Sequence, residues 1–117
     1  MDFNQNKPIY LQIADSICEK ILSGDYLPDD RILSVRELGI ALGVNPNTIM
    51  RVYEHLQGMD IIYNKRGIGY FVSPNAHDRI IEQQREEFLS KELPALARKM
   101  KLFGVPLEVL GEMMYEA

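Results

Sequence analysis

The amino-acid sequence predicts a mainly α fold that carries one small β-hairpin. Three observations predict it. Apolar residues recur at helical spacing in three separate runs before Asp60. Two β-prone runs then flank a glycine-bearing turn at Lys65–Gly69. Beyond Ser73-Pro-Asn75 the helical spacing returns and holds through Met114. With 117 residues and 46% hydrophobic composition, the chain can build one domain with an appendage, but not two independent large cores.

The first helix is expected over Pro8–Leu22, because Ile9, Ile13, Ile17 and Ile21 fall four residues apart, with Tyr10 and Ala14 alongside. Pro8 suits a first helical turn and Gly24 a position just past the end. Asp25–Arg31 reads as a polar loop. Ser34 and Glu37 then form an S-x-x-E capping box that starts a second helix, whose inner face is Val35, Leu38 and Leu42. Gly43 stops it. Asn45 as N-cap and Pro46 as first helical residue restart the chain as a third helix, with Ile49, Val52, Tyr53 and Leu56 on its buried stripe. Gly58 allows its exit. Ile61–Asn64 and Tyr70–Val72 make the hairpin around a basic tip. Ser73-Pro-Asn75 is the domain boundary, separating residues 1–73 from residues 74–117. In the second part Leu89, Leu93, Leu96, Met100 and Phe103 are spaced alternately four and three apart, a heptad-like seam. Pro94 should kink or divide that helix. Gly104 ends it, and Pro106 starts a last helix with Leu107, Leu110 and Met114 on one side.

Composition removes several function classes. The lone Cys18, set between Ile17 and Ile21, excludes an internal disulfide and any Cys-rich zinc site, and reads as a buried thiol. His55 and His77 lack metal-ligand spacing with any acidic cluster, so no metal and no cofactor is expected. No Ser-His-Asp set and no pair of carboxylates on an apolar background is present, so the chain is not read as an enzyme. Met1–Asn6 shows no signal-peptide pattern, and no apolar run approaches a membrane span, so a cytoplasmic protein with no membrane partner is expected. Net charge is −4, against simple nucleic-acid binding. Between Arg31 and Arg66, however, Arg31, Arg36, Arg51, Lys65 and Arg66 outnumber Glu37, Glu54 and Asp60. A local positive face on an acidic protein still attracts phosphate at short range.

Three helices followed by a hairpin is the outline of a winged helix-turn-helix, in which the third helix enters the major groove of DNA and the second braces it. The motifs Pro8-Ile-Tyr-Leu-Gln-Ile13, Leu33-Ser-Val-Arg-Glu-Leu38, Leu42-Gly-Val-Asn-Pro-Asn-Thr-Ile49, Arg51-Val-Tyr53 and Gly67-Ile-Gly-Tyr-Phe-Val72 occur in order. Over residues 8–73 the sequence resembles the N-terminal domain of the GntR family of bacterial transcription regulators. The Glu86-Glu-Phe-Leu stretch, Glu92-Leu, the Leu-Phe-Gly-Val turn and the short last helix are similar to the two-helix tail of the YtrA-like subfamily. Three positions depart from the family pattern. Leu33 stands for a proline, Asp29 for a glycine and Asp60 for another glycine. Asp60 must tolerate the helix-to-strand exit, and aspartate accepts φ > 0 better than most residues.

The resemblance implies that Arg36 contacts DNA; the alternative for it is a solvated pair with Glu37 or a loop carboxylate. Asn45, Pro46, Asn47 and Thr48 form the cap and first turn of the third helix. Asn45 and Pro46 chiefly build the helix. Asn47 has no capping duty and can read adenine, and Thr48 can meet phosphate or a thymine methyl. The helix terminus is also expected to offer N–H groups to phosphate. Arg51, one turn on, can take guanine or phosphate with two prongs; its alternative is a pair with Glu54, worth a few tenths of a kcal/mol or about that. Lys65, Arg66, Gly67 and Gly69 form the wing tip, where cations find phosphate or the minor groove. Tyr10, Tyr53 and Tyr63 read as core or half-core residues.

The resemblance also makes the tail a dimerisation element, with Leu89, Leu93, Leu96, Met100, Phe103, Leu107, Leu110 and Met114 at a two-fold interface. Left uncovered, that seam is an exposed apolar stripe. The expected function is a homodimeric, sequence-specific regulator of double-stranded DNA, a repressor acting on a palindromic operator. Members of the similar subfamily are often encoded beside transporter operons. Two alternatives stand beside it. One is the N-terminal fragment of a regulator fused to a pyridoxal-phosphate aminotransferase-like domain, which requires a longer chain. The other is a winged-helix adaptor for protein partners, against which the polar row of the third helix argues. No effector ligand is identifiable in the sequence.

Overall fold

Ile13, Ile17 and Ile21 place one side of helix α1 (Ile9–Leu22) in the core, and the buried stripe of α3 (Pro46–Gly58) packs against it. A computed structural model describes residues 7–116; Met1–Asn6, where no signal pattern was found, lie outside the described residues. Pro8 caps α1 instead of entering its first turn, and its carbonyl accepts from the Leu11 and Gln12 amides. Ile9 is 48% exposed, because it lies a turn ahead of the packed part of the helix. Helix α2 (Val35–Leu42) begins with the complete capping box of Ser34 and Glu37 and ends at Gly43 in the left-handed region. Ile49, Val52, Tyr53 and Leu56 of α3 are each buried, at 1% exposure or less.

Strands β1 (Ile62–Lys65) and β2 (Gly69–Val72) pair antiparallel from Ile62↔Val72 to Lys65↔Gly69. A third segment, within the expected polar loop and its approach to α2, joins them. The Asp29 amide donates to Val72 O, the Val72 amide to Asp30 O and the Ile32 amide to Tyr70 O, with an isolated bridge between Arg31 and Phe71. The segment is too short to show strand alternation, but it buries Ile32. Asp29 adopts φ 65° and Asp60 φ 59°, so both positions where aspartate stands for a family glycine use the left-handed region.

Helix α4 (Ala76–Glu87) follows, and its Ala76 and Ile80 belong to the core cluster of the helix-turn-helix. The described residues therefore group into two compact units, one running through Ile81 and the other starting at Glu82, while the change of element lies at Ser73-Pro-Asn75. Within the second unit a π-helical turn (Phe88–Glu92) leads into α5 (Leu93–Phe103), and α6 (Leu107–Glu116) comes after the left-handed Gly104. The break expected at Pro94 takes the form of this π turn. Pro94 has no N–H for the Ser90 carbonyl, and the turn absorbs the misfit by shifting to an i→i−5 bond, Leu93 N–H to Phe88 O. Among the described residues no helix is long and apolar enough to cross a membrane.

Gly39 is buried at the α2–α3 crossing, where an added Cβ would stand 2.9 Å from the Val44 carbonyl oxygen. A backbone atom cannot move aside cheaply, so Gly39→Ala should lower stability by about 1–3 kcal/mol in urea denaturation. Gly58→Ala, with open space around the new Cβ, should leave stability unchanged or raise it by up to about 1 kcal/mol. A second expectation concerns alkaline pH. Burial, reinforced by Asp15 and Glu19, pushes the Cys18 thiol from 9.0 up to about 12. The folded state keeps that proton after the unfolded chain has lost it, so stability is unaffected below pH 9 and falls from there towards 12. Urea midpoints measured across this window should show the decline, and Cys18→Ala should reduce its slope.

Candidate nucleic-acid interface

Side-chain caps start both helices of the helix-turn-helix. The Ser34 amide donates to Glu37 Oε1 at 3.0 Å, and the Glu37 amide donates to Ser34 Oγ at 3.0 Å. Hydrogen bonds from Ser34, backbone first, and then the nearby Arg31 hold the exposed Glu37 carboxyl below its usual range. With Glu37 engaged in the cap, Arg36 is exposed and forms no ion pair with it among the described residues. In the turn, the Val44 amide donates to Gly39 O at 2.9 Å, and Gly43 supplies φ 66°, which few other residues accept.

Asn45 caps α3, its side-chain oxygen accepting from the Asn47 amide at 2.8 Å. Pro46 has no N–H, and the Thr48 and Ile49 amides reach Asn45 O. The Asn47, Thr48 and Ile49 amides are thus engaged at the helix terminus, and these bonds compete with a phosphate contact there. The side chains are placed differently. Asn47, Met50, Arg51 and Glu54 lie on one exposed strip at i, i+3, i+4 and i+7, opposite the buried stripe. Thr48 is half-buried beside them. Met50, 40% exposed, is a member that the sequence reading missed. The signal was its position three residues after Asn47 and off the apolar stripe. It gives the strip an apolar contact of the kind a thymine methyl takes.

Arg51 does not pair with Glu54. Its guanidinium lies over the Tyr10 ring of α1, 4.0 Å from the centroid, and the Tyr10 ring meets His55 edge-on at 5.9 Å. Contact through the ring face uses none of the five guanidinium donors.

The wing is tied to the body by aromatic rings. Tyr53 of α3 meets Tyr70 of β2 at 4.8 Å, and Tyr63 stacks on Phe71 at 5.6 Å. The Tyr63 hydroxyl donates to Asp29 Oδ1 at 2.8 Å, and this bond raises the phenol's pKa. Lys65 Nζ sits over Phe71 at 4.7 Å and Tyr63 at 5.9 Å. Arg66 and Gly67 are exposed at the turn, where Gly67 takes φ 80°. Gly69 pairs with Lys65, has φ 145°, and would place a Cβ 3.1 Å from Arg31 Nε. Arg31 therefore joins the base of the wing, a placement hidden in the sequence because its strand-like segment was. Ile68, 59% exposed between the two glycines, is an apolar wing-tip residue also unassigned from sequence. Among the described residues no group of His, Cys, Asp and Glu could hold a metal ion.

In the second unit, Leu89, Leu93 and Leu96 are exposed, Met100 and Leu110 half-buried, and Phe103, Leu107 and Met114 each above 70% exposed. These are the residues assigned from sequence to a subunit interface.

Residues 9–72 match the model of the gntR family of bacterial regulatory proteins. The chain is 34% identical over 116 residues to the HTH-type transcriptional repressor YtrA of Bacillus subtilis, covering 99% of this chain and 88% of that protein. It is similar to the crystal structure of a GntR-family transcriptional regulator from Bacteroides thetaiotaomicron, with TM-score 0.82, 45% identity, and coverage of 93% of this chain and 95% of that one. It is also similar to the DNA-binding domain of AraR solved in complex with operator ORR3, with TM-score 0.56, 32% identity, and coverage of 62% and 86%. The winged helix, the family match and near full-length similarity to YtrA agree: the chain belongs to the GntR family of bacterial regulatory proteins, as a YtrA-like member.

Proposed function

We propose that the chain is a homodimeric transcription repressor that binds a palindromic operator in the cytoplasm. Residues 1–73 bind DNA and residues 74–117 hold the dimer. The observation that carries DNA binding is the exposed strip of α3, on which Asn47 and Arg51 keep their side-chain donors available on a helix capped by Asn45. In the major groove these side chains match adenine and guanine edges. Arg36, Lys65 and Arg66 supply phosphate or minor-groove contacts, and Gly67 and Gly69 let the wing backbone approach closely. The AraR complex supports DNA as the ligand for a chain of this fold and similarity.

Dimerisation is supported by the tail. Leu89, Leu93, Leu96, Phe103, Leu107 and Met114 leave an exposed apolar surface that a second copy can cover, and one recognition helix alone buries little surface on DNA. A two-fold dimer presents two such helices to inverted half-sites about one helical turn apart. Repression, and a transporter operon as target, rest on the likeness to the YtrA-like branch.

Selection of duplexes from a random pool tests the proposal, with an inverted repeat as the expected product. On the selected duplex, Arg51→Ala should weaken binding about fivefold to a hundredfold, as loss of one bidentate base contact does. A change at Lys99, in the second unit, should not. Lys65→Ala or Arg66→Ala should weaken cognate and random duplexes alike, and lower the salt slope by about two each, one per subunit. In sedimentation, Leu93→Asp combined with Leu96→Asp should convert a dimer into a monomer. A wild-type monomer at micromolar concentration would overturn the dimer.

A further inference from the structure

Arg51 is a long, exposed side chain with several rotamers open to it, and a guanidinium at a base edge must sit within a few tenths of an ångström to form two hydrogen bonds at once. The obvious holder, Glu54 one turn along the same helix, is not used. An Arg51–Glu54 pair would occupy the donors and cancel charge where DNA carries its own negative charge. The structure instead places the guanidinium carbon 4.0 Å from the centroid of the Tyr10 ring. Tyr10 belongs to α1, outside the helix-turn-helix. Its ring is itself fixed, half-buried against the core and touched edge-on by His55 of α3 at 5.9 Å. The α1–α3 packing that buries Ile13 and Val52 also sets the ring under Arg51.

We infer that Tyr10 is a positioning residue for operator recognition, holding Arg51 through its ring face with every guanidinium donor left free for a base. The inference rests on Arg51 being a DNA-reading residue. Tyr10 acts before DNA arrives, by narrowing the conformations that Arg51 must give up on binding. The ring matters and the hydroxyl does not, since a cation is attracted to the face of phenylalanine as well as tyrosine. An exposed cation–π contact of this kind corresponds to about a two- to fivefold effect on affinity.

Two measurements test this. In the free protein, the Arg51 side-chain protons of wild type and Tyr10→Phe should be shifted upfield by the ring current, and the shift should vanish in Tyr10→Leu. Wild-type protons at ordinary positions would overturn the inference without any variant. The second is a double-mutant cycle on the duplex selected by wild type. Tyr10→Leu should lose about two- to fivefold on that duplex, nothing on a random duplex, and nothing further in an Arg51→Ala background. Tyr10→Phe should bind as wild type. Tyr10→Met serves as the ring-free variant if Tyr10→Leu does not fold. A loss of equal size in the Arg51→Ala background, or on random duplexes, would show that Tyr10 supports only the fold. Arg51→Ala losing affinity while ring-free variants lose none would refute positioning and leave the DNA-reading role of Arg51 intact. If Arg51→Ala itself costs nothing, the DNA-reading role fails, and the inference falls with it.

Discussion

Tyr53 connects the parts of the helix-turn-helix that have to stay in register. Its ring is almost wholly buried, its hydroxyl donates to the Leu33 carbonyl at 2.5 Å, and its face meets Tyr70 of the wing. One side chain of α3 thereby ties the recognition helix to the segment that leads into α2 and to β2. Burial raises its phenol pKa, with Tyr26, Tyr70 and Glu37 adding to the effect, so it stays a donor throughout the neutral range. Without it, the buried stripe of Ile49, Val52 and Leu56 would still hold α3 in the core, but its hydroxyl bond to the segment before α2 would be lost. A buried hydroxyl with a single good partner is costly to misplace, which makes the register specific as well as stable.

On that fixed backbone, the proposed DNA contacts fall mainly to side chains. The caps at Ser34 and Asn45, the left-handed Gly43 and the bond from the Val44 amide to the Gly39 carbonyl engage the backbone around the turn and the start of α3. Cations near the interface rest on aromatic rings rather than on carboxylates. Arg51 lies on Tyr10 and Lys65 on Phe71 and Tyr63. On a chain with net charge −4, keeping these cations unneutralised preserves a positive face where it is needed.

Most of the fold was legible because its signals are local. The Ser34–Glu37 box, Asn45-Pro46 and the stripe of α3 each follow from spacing and capping chemistry within one turn of helix. The left-handed exit at Asp60 was legible from the resemblance, in which aspartate stands for a glycine. What sequence did not reveal depends on contacts distant along the chain. Asp29–Ile32 acts as a third sheet segment only because β2 lies beside it, and the Asp29–Tyr63 bond spans residues that nothing local pairs. Met50 is apolar yet lies off the buried stripe, so its place on the exposed strip depends on how α3 packs. The π turn before Pro94 could be expected only as some break, since a kink, a division and a widened turn all relieve the same missing N–H.

The central claim is that the exposed strip of α3 and the wing form the surface that meets DNA. Backbone and side-chain NMR spectra recorded while a selected duplex is added test it most directly, because every residue reports on itself. The largest changes should fall at Asn47, Met50 and Arg51 and along Lys65–Gly69, with smaller ones around Arg36. Changes centred on Ile40 or confined to residues after Glu82, with the α3 strip silent, would contradict it.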